Sequence, residues 1–246
     1  MQILGVDIGG TGTKGAPVDT EKGVLLKERF RVPTPHPAKP DAVADAVLEV
    51  VRHFKWKGKI GVAFPAVVKS GVCYSAANVD AAWIGTDGRS LFERKTGCAC
   101  GMLNDADAAG LAEMEFGAGK GQKGLVIMVT LGTGIGSAMF IDGKLIPNSE
   151  IGHIEIRGKD AELRASDRIR EANEMSWKKW AKNVDEYMRT IERLFSPDLI
   201  IVGGGVSKKH EKWMPRLNTG CKVVPAMMFN DAGIVGAALG GRGPKA

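Results

Sequence analysis

Asp7 ends the apolar run Ile3-Leu4-Gly5-Val6, and Gly9-Gly10-Thr11-Gly12-Thr13-Lys14-Gly15 follows almost at once. Glycine allows positive φ and close backbone approach, so such a turn can aim amide N–H groups and threonine hydroxyls at an anion. A carboxylate beside that anion can hold Mg²⁺, directly or through water, or it can cap the turn's own N–H groups. Leu125-Val126-Ile127-Met128-Val129-Thr130-Leu131 leads in the same way into Gly132-Thr133-Gly134-Ile135-Gly136. Asn104-Asp105 stands where an apolar stretch meets an alanine-rich one. A carboxylate there can accept the proton of a hydroxyl in phosphoryl transfer, or cap the helix that follows. Asp107, inside that helix, is a weaker candidate. Glu150-Ile151-Gly152-His153 places a carboxylate and an imidazole close together, both able to bond hydroxyls, although such a pair is usually structural. Asn78 and Asp80 add polar groups to a small-residue stretch.

These residues need strands that end at the turns and helices that begin near the acids. Segments 3–18 and 125–141 share one pattern, an apolar strand, a glycine-rich turn and a second apolar strand, which predicts a chain of two related halves. Gly10-x-Gly12-x-x-Gly15 matches the spacing of the dinucleotide fingerprint. Pro17 and a strand-like stretch follow it, however, where that fingerprint requires a helix. No Gly-Lys-Ser or Gly-Lys-Thr follows either turn at Walker spacing. Two tight hairpins that clamp phosphate remain. Apolar periodicity predicts helices over 41–54, with Asp41 as N-cap, and over 104–116, 167–195 and 231–239. Strands are expected over 59–68, interrupted by Pro65, and over 199–202 before Gly203-Gly204-Gly205. In the long helix, Trp177, Trp180, Ala181, Val184, Tyr187, Met188, Ile191, Leu194 and Phe195 form a core face. Lys178, Lys179 and Lys182 are read as a solvated one. Strands alternating with helices give an α/β architecture.

The 246 residues include 33 glycines, roughly twice the ~7% of ordinary proteins. With 44% hydrophobic and 25% charged residues the chain is globular, neither collagenous nor disordered. The net charge of +6 favours an anionic partner. It is spread evenly, 14 bases against 10 acids in residues 1–103 and 20 against 18 in 104–246, which gives no basic arm for nucleic acid. The start has no charged n-region, and no apolar run approaches the ~20 residues of a membrane span, so a cytoplasmic protein is expected. Cys73, Cys98, Cys100 and Cys221 show no disulfide spacing, and a lone Cys98-x-Cys100 is weak as a metal signal.

Taken together and in order, Asp7 to Lys14, Asn104-Asp105, Leu131 to Gly136, Glu150 to His153 and Gly203-Gly204-Gly205 resemble the ROK-family sugar kinases over almost the whole chain. Ala76-Ala77-Asn78-Val79-Asp80, Trp83-Ile84-Gly85-Thr86-Asp87 and Ser196-Pro197-Asp198 make it most similar to that family's polyphosphate glucokinases. The resemblance implies an α/β, two-lobed, actin-like fold of the ribonuclease-H type, with duplicated lobes around a cleft. One lobe is expected over 1–103, completed by a C-terminal helix over 231–246, and the other over 104–230. By the same resemblance Asp105 is the catalytic base, and Asn78, Asn104, Asp105, Glu150 and His153 bind the sugar. Gly9, Gly10, Thr11, Gly12, Thr13 and Lys14, with Thr130, Gly132, Thr133, Gly134 and Gly136, bind phosphate, Asp7 serves Mg²⁺, and Gly203, Gly204 and Gly205 lie near a nucleotide.

The implied reaction moves the terminal phosphate of inorganic polyphosphate, or of ATP, to the 6-hydroxyl of glucose in a homodimer, with no nucleic acid or membrane partner. Residues 154–164 lack the cysteines of the family's zinc loop, so no structural zinc is expected, and Ala66 replaces the glycine usual after Pro65. Candidates for an outer polyphosphate groove are Lys120, Lys123, Arg157, Lys159, Arg164 and Arg168. The alternatives are an ATP-only glucokinase and a non-catalytic sugar-binding or regulatory protein. A regulator would need a DNA-reading segment ahead of Ile3, and a mere binding module would leave two phosphate turns and Asp105 without a use.

Overall fold

The computed structural model describes residues 1–243. The chain folds as two compact units, residues 1–112 with the C-terminal segment from 230, and residues 113–229.

In the first unit β1 (Gln2–Ile8) and β2 (Thr13–Asp19) form an antiparallel hairpin joined by the first glycine turn. β3 (Val24–Leu25) and β4 (Phe30–Val32) both pair with β2. β5 (Ile60–Phe64) and β8 (Cys100–Asn104) extend the sheet parallel to β1, in the order β3-β2-β1-β5-β8. A small hairpin of β6 (Val68–Lys69) and β7 (Val72–Cys73) lies between them in sequence.

Side chains alternate along a strand, so each face of this sheet has its own partner. Leu4, Val6 and Ile8 of β1 and Ile60, Val62 and Phe64 of β5 share a core with Val43, Val47 and Val50 of α1 (Pro40–His53) and Phe92 of α2 (Gly88–Thr96). The intervening residues meet α3 (Asp105–Phe116) and α7 (Ala232–Gly240). Gly5, Gly61 and Gly101 stand side by side on β1, β5 and β8. A Cβ on Gly5 would overlap the Ile234 carbonyl, one on Gly61 the Ala237 carbonyl, and one on Gly101 the Gly240 carbonyl. The row of glycines is thus a trough that lets the α7 backbone lie directly on the sheet.

The second unit repeats the plan. β9 (Leu125–Leu131) and β10 (Ile135–Ile141) form the second hairpin, edged by β11 (Lys144–Ile146). β14 (Leu199–Gly203) and β15 (Lys222–Pro225) run parallel to β9, in the order β11-β10-β9-β14-β15. Between the hairpin and β14 come the short ribbon of β12 (Glu155–Ile156) and β13 (Lys159–Asp160), then α4 (Glu162–Ala165), α5 (Asp167–Ala172) and α6 (Trp177–Phe195). Trp180, Val184, Tyr187, Met188 and Ile191 of α6 pack with Ile127, Val129 and Leu131 of β9 and with Trp213.

Several expectations need correction. The helix expected over 167–195 is two helices, because Glu174 takes a positive φ and the Ser176 side chain accepts from the Lys179 amide to cap a new start. Leu194 leaves the core face and is 56% exposed. Lys39, not Asp41, is the N-cap of α1, since Pro40 fills the first turn, where its missing N–H costs nothing. Residues 104–112, expected to open the second lobe, pack in the first unit, where Ala108 shares a small core with Ala63 and Ala237 and its carbonyl lies against Gly236. The C-terminal helix ends at Gly240, and positions 244–246 of the expected helix lie outside the described residues. No helix among the described residues is long and apolar enough to cross a membrane.

Candidate active site

In the first unit, the scaffold behind the β1–β2 turn takes up its carbonyls. The Gly9 amide donates to the Gly12 carbonyl (3.1 Å), the Thr34 hydroxyl to the Gly9 carbonyl (2.6 Å), and Arg31 Nη2 to the Thr11 carbonyl (2.8 Å). The Arg31 guanidinium also fills the space where a Gly12 side chain would stand. Among the described residues the Gly10 and Thr11 amides have no hydrogen-bond partner, and both residues are exposed. The turn therefore presents donors outward with the Gly9, Thr11 and Gly12 carbonyls tied down, which suits an anion. The Thr13 hydroxyl is buried beside that of Thr34 at 3.4 Å and belongs to the scaffold.

Asp7 and Lys14 face each other across the hairpin register. Burial pushes the Asp7 carboxyl up, and the Lys14 ammonium pulls it back down. The start of α7 lies against this carboxylate, so a Cβ on Gly233 would come within 2.8 Å of Asp7 Cγ. No turn amide donates to Asp7 among the described residues, so the capping role open to it in the sequence is not used. No group of three or more His, Cys, Asp or Glu among the described residues is placed to hold a metal. A lone carboxylate without a hydrogen-bond partner fits a Mg²⁺ that takes its other ligands from water and substrate phosphates.

At the end of β8, Asn104 Oδ1 accepts from the Ala106 amide (2.8 Å) and the Asp107 amide (3.1 Å), and Nδ2 donates to the Ala66 carbonyl (3.1 Å). Asn104 is therefore the N-cap of α3 and a tie to the 65–67 segment. Asp105, the first residue of α3, is half-buried, and its Oδ1 accepts from the Ala106 amide (2.8 Å). Asp80 caps the turn at Ala81–Trp83 by accepting from the Ala82 amide, whereas Asn78 is exposed.

The second unit brings its predicted residues together around the β9–β10 turn. The Gly132 amide donates to the Gly134 carbonyl (3.0 Å), and Gly136, Thr130 and Gly203 stand side by side on three strands. Gly204, with φ +84°, passes so close to the Leu131 carbonyl that a Cβ would overlap it. The Ser137 hydroxyl donates to the Ser149 carbonyl (2.6 Å) and accepts from the Ile151 amide (3.1 Å), pinning the loop that carries Glu150 and His153 to β10. Desolvation raises the Glu150 pKa, with His153 opposing and the Glu162 charge adding.

Two acids here escaped the reading of the sequence. Glu162 Oε2 accepts from the Ile135 amide (3.2 Å) and lies over Gly134, bringing a third polar group to Glu150 and His153. Asp160 Oδ2 bonds His153 Nδ1 at 2.9 Å. In the sequence these are merely acids in a charged stretch, and only the β12–β13 ribbon and the α4 start turn them toward the site.

The Asp160 hydrogen bond is the main reason the His153 pKa is raised, the nearby Glu162 charge adding to it against desolvation. A raised pKa means that the pair favours folding below the unfolded value near ~6.5 and loses that contribution as pH rises through the folded value. Asp160→Asn is expected to lower the His153 titration midpoint, read from its imidazole NMR shifts. An unchanged midpoint would remove Asp160 as the orienting partner.

The ROK family model matches residues 3–167. The chain belongs to the ROK family. Among its ROK relatives, the polyphosphate glucokinase of Mycobacterium tuberculosis is 50% identical over 237 residues, covering 96% of this chain and 89% of that protein. The crystal structure of the inorganic polyphosphate/ATP-glucomannokinase of Arthrobacter sp. strain KM superimposes with a TM-score of 0.93 at 50% identity, covering 97% of both chains. A ROK glucokinase of Streptomyces griseus, solved with glucose and AMPPNP, gives 0.84 at 25% identity over 99% of this chain and all of that one. The α/β fold expected from the sequence is the fold of these ROK sugar kinases.

Proposed function

We propose that this ROK protein is a polyphosphate glucokinase, which transfers the terminal phosphoryl group of inorganic polyphosphate to the 6-hydroxyl of glucose, with ATP as a second donor. The observation that carries the reading is at the β8–α3 junction, where Asn104 does the capping and Asp105 keeps a carboxylate at the helix start. Identity of 50% to the mycobacterial polyphosphate glucokinase, over nearly all of this chain, supports it.

In this reaction Asp105 accepts the proton of the 6-hydroxyl as its oxygen bonds to the terminal phosphorus. The bond from that phosphorus to the bridging oxygen breaks, and polyphosphate one unit shorter, or ADP, leaves. Asn78, Asn104, Glu150, His153 and Glu162 hold the sugar hydroxyls. The exposed amides of Gly10 and Thr11, with Lys14, and the turn of Thr130, Gly132, Thr133, Gly134 and Gly136 take the phosphates. Such fixed donors act mainly by positioning and by stabilising developing charge. Gly203, Gly204 and Gly205 serve the nucleotide when ATP is the donor. A Mg²⁺ held by Asp7 would neutralise phosphate charge. The enzyme is expected to be a cytoplasmic homodimer, the latter tested by sedimentation.

Initial rates with polyphosphate and with ATP, on glucose and on mannose, test the reading. Glucose 6-phosphate should form with polyphosphate, and its KM should rise more steeply with salt than that for ATP, because a long polyanion releases more counterions. Product from ATP alone would make this an ATP glucokinase. Product from neither donor would make it a sugar-binding module.

A further inference from the structure

A cavity of about 560 Å³ lies wholly within the second unit and is lined by six cationic side chains, Arg157, Arg164, Lys178, Lys182, Arg189 and Arg216, against the two acids Asp185 and Glu186. Its floor is one stripe of α6, where positions 178, 182, 185, 186 and 189 recur at helical spacing beside the buried face of Trp180, Val184 and Tyr187. Lys178 and Lys182, two of the three lysines read from the sequence as a solvated face, therefore border a concavity. The β12–β13 ribbon adds Arg157, α4 adds Arg164, and the segment after Trp213 adds Arg216 and Asn218.

Both acids are already engaged. Glu186 bridges Arg157 Nε and Arg164 Nη2, each at 2.7 Å. Asp185 bonds Arg189 Nε at 3.0 Å and accepts from the Asn218 amide at 2.6 Å. Among the described residues no acid lies within ion-pair distance of Lys178, Lys182 or Arg216. Three cations without a counter-charge in one concavity, two more arginines held in place by Glu186, and space for several linked anionic groups describe a site for a polyanion.

We propose that this cavity is a docking site for inorganic polyphosphate, separate from the phosphate turns; the inference rests on polyphosphate being the donor. The site is joined to the chemistry through its own chain. Arg164 follows Glu162 by two residues on α4, and Glu162 holds the Ile135 amide of the second glycine turn. A long donor tethered here raises its own effective concentration at that turn. A short donor, or ATP, gains nothing from it. Of the cations expected to form a polyphosphate groove, Arg157 and Arg164 line the cavity, while Lys120, Lys123, Lys159 and Arg168 do not.

The test compares wild type with the triple variant Lys178→Gln/Lys182→Gln/Arg216→Gln, its fold checked by thermal unfolding. The dissociation constant for long-chain polyphosphate and its KM should both rise at least tenfold. The slope of log affinity against log salt should fall by about two to three. kcat on glucose and the KM values for tripolyphosphate and ATP should stay unchanged. Unchanged long-chain binding would overturn the proposal, as would an equal loss with tripolyphosphate, or a single-stranded oligonucleotide of matched charge binding more tightly than polyphosphate. If wild type uses ATP alone, the donor assignment fails by itself, and the direct binding measurement still decides whether the cavity takes polyphosphate.

Discussion

Asp105→Asn should lower turnover on glucose by about 10²–10⁴-fold, the range that a positioned general base contributes. Asparagine keeps the size of the side chain, and its carbonyl oxygen can still accept from the Ala106 amide as Asp105 Oδ1 does. The cap of α3 is supplied by Asn104, which the substitution leaves alone. The melting temperature should therefore stay near that of the wild type, and KM for glucose should change far less than kcat, because what is removed is the proton acceptor. Single-turnover rates with saturating glucose and polyphosphate measure this. A loss of less than tenfold, about 1.4 kcal/mol in the barrier, would sink the assignment of Asp105 as the base.

Gly61→Ala should be among the most damaging small substitutions in the first unit. The added Cβ would overlap the Ala237 carbonyl, and backbone cannot rotate out of the way as a side chain can. Either α7 lifts from the sheet or β5 moves away from β1 and β8, and each exposes apolar surface. A loss of at least about 4 kcal/mol is expected, at the upper end for single substitutions. That corresponds to a fall in melting temperature of roughly 10 °C or more for a chain of this size. Gly10→Ala is the control, because nothing lies within 4 Å of a Cβ there. A Gly61→Ala melting temperature within about 2 °C of wild type would show that α7 does not lie as close to the sheet as described.

The glycine row shows why part of the fold was hidden in the sequence. Gly9, Gly10 and Gly12, and likewise Gly132, Gly134 and Gly136, are neighbours along the chain between apolar strands, so their turns and the two related halves were legible, while the strand order that the two units share came from the structure. Gly5, Gly61 and Gly101 are far apart in sequence and become neighbours only through the β1-β5-β8 register. The unusual glycine content, read first as phosphate loops, also serves this trough under α7. Asn104-Asp105 was legible as a strand–helix junction with two competing uses, and only the hydrogen bonds of the folded chain show that Asn104 caps α3.

The sequence by itself determined the α/β repeat, the two glycine turns, the junction acid and the neighbouring pair Glu150 and His153, because each is written in residues adjacent along the chain. Tertiary structure alone decided that Asp160 orients His153, that Glu162 closes over the second turn, and that Lys178 and Lys182 of α6 border a basic cavity. Those pairings depend on how hairpins and helices from separate segments pack, and backbone spacing along one segment carries no information about which distant charge will stand opposite.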